Sequence, residues 1–152
     1  MTSSPDPKPD IESRAEIQQL VDAFYARVQQ DEVIGFIFTE VAATDWDHHL
    51  PKMYDFWETV LFRTGSFQGN PVGVHRALAE RTPMGRAQFE RWLQLFRETV
   101  DALFSGPNAE HIKNCAADIA SVLHRKVNHL PDPVRLMMHP QAPVPAFEQQ
   151  QR

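Results

Sequence analysis

The 152-residue chain carries a formal net charge of −5, with 42% hydrophobic and 23% charged residues, which fits one globular domain. Its acidic balance, with a pI near 5.8, excludes a partner held through bulk positive charge, whether nucleic acid or an anionic membrane surface. The single cysteine, Cys115, excludes an internal disulfide and fits a reducing compartment; its expected role is a small buried apolar side chain. No apolar run reaches the roughly 18–20 residues of a membrane span. The opening MTSSPDPKPD lacks the apolar centre of a secretory signal, so the expected location is the cytoplasm.

Residues 1–10, with three prolines, read as a disordered lead. Ser13 and Glu16 stand at capping-box spacing and start a helix. Ile17, Leu20, Val21, Phe24 and Val28 recur at three and four residues and share one face, and a stop is expected near Gln30 or Asp31. Val33 to Phe38 is short and apolar, equally a helical turn or a strand. Thr44 is the expected N-cap of the next helix, with acids in its first turn. That helix runs from Trp46 through His49, Met53, Phe56, Trp57 and Leu61 to a stop at Gly65. Gly69, Asn70 and Pro71 mark a turn, followed by a short helix over 72–80. Thr82 and Pro83 predict an N-cap and first helical residue for a helix bearing Phe89, Trp92, Leu93, Phe96, Val100 and Leu103. Ser105, Gly106 and Pro107 break it. The last helix carries Ile112, Cys115, Ala116, Ile119, Val122 and Leu123. Prolines from Pro131 onward end it and leave residues 131–152 as a proline-rich tail, expected to be mobile. The predicted class is all-α: a domain over 11–130 with no period-two strand pattern and no internal repeat.

Ten Phe, three Trp and five Met make either an aromatic-rich core or a slot for a flat apolar ligand. Seven histidines narrow the choice. His111, His124, His129 and His139 are expected mostly at the surface. His48 and His49 lie about 100° apart on one helix, which puts His49 on the buried stripe and His48 toward solvent. His75 sits among apolar residues of the short helix. Zinc needs three or four ligands at close spacing, and no such cluster is present. A di-iron bundle needs Glu-x-x-His motifs on two helices, also missing. Haem needs one strong protein ligand and an apolar slot, a demand these residues meet.

Four segments, in order, resemble the group III truncated haemoglobins. Phe24-Tyr25 is similar to the family's Phe-Tyr pair, and Trp46 to Leu50 with Phe56-Trp57 to its distal helix. Gly69 to His75 resembles the proximal segment, and Phe89 to Phe96 the following helix with its tryptophan. The resemblance spans about 11–128. It implies a truncated globin, a two-over-two helical sandwich around haem b (iron protoporphyrin IX). It further implies His75 as the proximal ligand to iron and Tyr25, His49 and Trp92 around the bound gas. Phe24, Phe38, Met53, Phe56, Trp57, Phe89, Ile119 and position 76, occupied by Arg76, are the expected pocket lining. Lys52 and Arg63 are expected at the propionates.

The function implied is reversible binding of O2, with NO and CO as further ligands, by a monomer or weak homodimer. One alternative is an NO dioxygenase or peroxidase, which would need a separate reductase because this chain has no flavin or nicotinamide domain. Another is a haem-free helical module that binds a protein or lipid.

Overall fold

A computed structural model describes residues 7–130, and every secondary-structure element among them is helical. The expectation for 131–152 lies outside the described residues. Four long helices, α1 (Arg14–Gln29), α2 (Trp46–Phe62), α4 (Arg86–Leu103) and α5 (Pro107–Val127), frame a short α3 (Pro71–Ala79). Helix α1 packs on α2 and α4, while α5 packs on α2, α3 and α4. Each long helix buries one stripe. In α1 it is Ile17, Leu20, Val21, Phe24, Tyr25 and Val28, and in α5 it includes Ile112, Ala116, Ile119, Val122 and Leu123. These spacings are the ones that put side chains on one helix face. No helix among the described residues is long and apolar enough to cross a membrane.

Several boundaries differ from those the sequence predicts. Ser13 does precede α1, but its hydroxyl donates to Glu16, and the Glu16 carboxylate accepts from the Glu12 N–H instead of the Ser13 N–H. The N-cap position of α2 is Asp45, not Thr44, and its side chain makes no capping hydrogen bond; Thr44 N–H instead bonds back to the Phe38 carbonyl. It ends earlier than Gly65, on Arg63 in a left-handed conformation (φ 58°). Helix α4 starts at Arg86, not Pro83: Thr82 is buried in the preceding turn, and Gln88 Oε1 accepts from the Gly85 N–H at 2.8 Å. The ambiguous Val33–Phe38 run is a turn at 33–34, helical at 35–36, and then enters a π turn over Ile37–Val41.

Of the expected lead, residues 1–6 lie outside the described residues. Residues 8–10 are tethered to the α4–α5 junction. Pro9 carbonyl accepts from Ser105 N–H, and Asp10 accepts from the Asn108 and Ala109 N–H groups at 3.0 and 2.8 Å. Asp10 thus caps α5 from 98 residues away, where the first backbone donors of a helix have no partner of their own. Gly106 allows this approach. A Cβ there would sit 2.5 Å from Asp10 Cγ, and its φ of 138° suits glycine alone. Cys115 is half-buried, not enclosed, with Sγ 3.6 Å from His111 Nε2, and burial raises its pKa.

Candidate functional site

The helices enclose a cavity of about 260 Å³, open on one side. Tyr25 reaches it from α1, His49, Lys52, Met53, Phe56 and Trp57 from α2, and His75 from α3. Phe89 and Trp92 reach it from α4 and Ile119 from α5, with Phe38 completing the wall. Tyr25, His49, His75 and Trp92, from four helices, therefore meet beside Lys52 in a mainly apolar chamber, the usual composition of a small-molecule site.

The local sequence fixes the His75 ring. Asn70 caps α3 through the Gly73 N–H at 2.9 Å, and Pro71 occupies a first-turn position that needs no N–H. His75 stands one turn on, where its Nδ1 lies 2.6 Å from the Pro71 carbonyl oxygen. A carbonyl only accepts, so Nδ1 carries the proton and donates. The neutral ring then has its lone pair on Nε2. Burial lowers the pKa of His75, against the opposing pull of the Pro71 hydrogen bond, so the ring is neutral at physiological pH.

Across the cavity, Tyr25 is buried and packs against His49 at 5.1 Å, Trp46 at 5.4 Å and Phe38 at 5.8 Å between ring centroids. Burial raises its pKa, so the phenol keeps its proton. His49 has a buried Nε2 without a partner. Its pKa falls to about 4, chiefly by burial, with further repulsion from His75, Lys52 and His48. Buried polar atoms without partners are rare and mark a strain reservoir or a place for a ligand. Trp92 stacks on Phe96 at 5.6 Å and on Trp57 at 6.3 Å; Trp57 is 1% exposed.

The structure brings together His75, Tyr25, His49, Trp92, Phe38, Met53, Phe56, Trp57, Phe89, Ile119 and Lys52. Three expected positions fall elsewhere. Phe24 is fully buried but lies behind the lining, against Tyr25, Trp92 and Phe96, because it follows α1's core stripe. Arg76 is exposed and donates from Nε to the Lys126 carbonyl; Leu78, two residues on, lines the cavity instead. Arg63 is exposed at the end of α2, near Cys115 and away from the cavity. Sequence reading missed Ile34, Ile37, Phe67, Gln68, Met84 and Gln88. They come from irregular segments and first turns, where no period points inward.

The molecule can be set beside known proteins. Residues 10–125 match the family model described as bacterial-like globin. A curated group 3 truncated hemoglobin, ctb of Campylobacter jejuni, is 30% identical over 110 residues, covering 70% of this chain and 81% of that one. A crystal structure of a group III truncated hemoglobin from Campylobacter jejuni superposes with a TM-score of 0.69 at 29% identity, covering 82% of this chain and 96% of the other. Membership of this family implies a haem protein that takes diatomic gases. The chain belongs to the bacterial-like globins and, among them, to the group III truncated haemoglobins.

Proposed function

We propose that residues 11–130 hold haem b in this cavity, with His75 Nε2 as the protein ligand to iron, and reversibly bind O2, and also NO and CO, beside Tyr25, His49 and Trp92. The observation that carries the reading is the His75 ring itself. One nitrogen is committed to a backbone carbonyl at 2.6 Å, and the other holds a lone pair in an apolar cavity. A metal-binding imidazole normally donates its far N–H in this way, which fixes the tautomer and raises ligand basicity. The unpartnered His49 Nε2 in the same chamber fits a ligand that neither the core nor solvent supplies. When bound, the haem supplies an iron with one open position for a diatomic gas.

The protein's own groups do the rest. Pro71 holds the His75 ring. Tyr25 offers a phenol proton at neutral pH because burial keeps it protonated. The Trp92 indole can only donate, so it suits an electron-rich gas and not a cation. His49 stays uncharged and can donate or accept. Donors in a dry chamber do not compete with water and act more strongly than in solution. Lys52, at the open rim, suits a propionate by charge.

The test is a haemin titration of the purified protein with spectra of the ferric, ferrous and CO-bound states. One haem per chain, and a five-coordinate ferrous spectrum that converts with CO, is expected. A protein that acquires no haem band after haemin addition contradicts the reading.

A further inference from the structure

Asp31, in the corner after α1, is a carboxylate with a side chain only 3% exposed. Its Oδ2 accepts from the Val33 and Ile34 N–H groups at 3.0 and 3.1 Å. Its Oδ1 accepts from Arg91 Nε and Nη2 at 2.8 and 2.5 Å. Four donors from two separate elements thus converge on one carboxylate. Burying such a charge is tolerated only where it is paired and fully hydrogen-bonded. The Arg91 hydrogen bond, helped by the two backbone donors and opposed by burial, lowers the Asp31 pKa.

What the pair joins matters more than the pair itself. On one side is the corner that carries Ile34, Ile37 and Phe38 into the cavity wall; on the other is α4, where Trp92 follows Arg91 directly. The corner has no long helix to fix it. It is seated on the end of α1 at Gly35, where a Cβ would lie 2.9 Å from the Val28 carbonyl oxygen, and it is tied to α4 through Asp31. Phe38 in turn packs edge-on against Tyr25. Through that ring contact, a shift of the corner relative to α4 bears on the Tyr25 ring, which lines the cavity together with Trp92.

We propose that Asp31 and Arg91 form a positioning clamp that sets the Tyr25–Trp92 spacing and so the rate at which a bound gas leaves. This rests on the reading of the cavity as a gas site. Neither residue touches the ligand; both act through the wall.

Asp31→Asn isolates the clamp. The amide oxygen still accepts from Val33 and Ile34, while its NH2 faces the guanidinium and the ion pair is lost. Arg91→Lys keeps the charge but loses the two-pronged contact. Two readouts are taken: amide hydrogen exchange of residues 33–41 in the haem-free protein, and CO stretching band and gas dissociation rate after haem loading. D31N is expected to speed both exchange and dissociation about threefold to tenfold, the range of one net hydrogen bond. It should also broaden the CO band, with R91K intermediate. Asp10→Ala, which loosens the fold at the far end of α5, serves as control and should leave the CO band unchanged. Unaltered exchange and dissociation in D31N, or an equal change in D10A, overturns the clamp. If the wild type takes up no haem, the gas-site reading fails, and the hydrogen exchange alone decides whether Asp31 holds the wall.

Discussion

The ring of His75 and the phenol of Tyr25 face one chamber with opposite chemistry: a lone pair on one side and a proton donor on the other. Replacing Tyr25 by Phe removes the donor and little volume. Oxygen dissociation from the loaded protein should then rise about tenfold, the value of one hydrogen bond in a buried site, as stopped-flow displacement by CO would measure. An unchanged rate removes Tyr25 from the ligand's surroundings. Asp31 gives a pH prediction. Its folded-state pKa lies below the ordinary 3.8, so its contribution to stability is complete above that value and is lost as pH falls through the folded pKa. Denaturant melts between pH 5 and 2, where D31N should show a shallower acid slope than the wild type, check this. His75 and Tyr25 could be singled out from the sequence because a resemblance fixed their order along the chain, and His49 because a helical stripe fixed its face. Phe24 shows the limit. It shares α1's stripe with Tyr25, and period alone cannot tell a residue that lines a cavity from one packed behind it. Arg76 shows another: along one turn of α3 only some positions face inward, and the apolar lining belongs to Leu78.

At the scale of elements, the long helices were legible because each buries a stripe at helical spacing, and the breaks at Gln30 and at Gly106-Pro107 follow from local chemistry. The corner over 31–41 was not. A short apolar run satisfies both a strand and a turn, and what decides it is Gly35 against α1 and Asp31 against Arg91, contacts that no local pattern contains. The residue 8–10 tether was hidden for the same reason, since Asp10 meets its partners across most of the chain. Asp10→Ala should lower stability by about 1 kcal/mol, the usual value of a helix cap, read from the denaturant midpoint. Gly106→Ala should cost more than an ordinary glycine replacement, since the added Cβ meets Asp10 and the backbone angle is strained. In the D10A background part of that extra cost should disappear; full additivity would show that the two residues do not meet. Asn70→Ala, which uncaps α3, should weaken haem retention without abolishing it, because Pro71 still sets the His75 ring; haem transfer to a scavenger globin measures this.

Across the whole molecule, the aromatic side chains divide into two populations. Among the described residues, Trp57 and Phe96 are buried and stacked with Phe24 buried edge-on against Phe96, while Phe38, Trp46 and Trp92 are only partly covered. Composition signalled an excess of aromatics but not this division, which requires three helices to converge. The proposed haem site rests on a single imidazole, tied by one nitrogen to Pro71 and left with the other to hold iron. His75→Gly tests it most directly, because the variant leaves a space that free imidazole can fill. H75G should fail to retain haem on a desalting column, and added imidazole should restore both retention and a five-coordinate ferrous spectrum. Retention of haem by H75G without imidazole, with the wild-type spectrum, would contradict the claim.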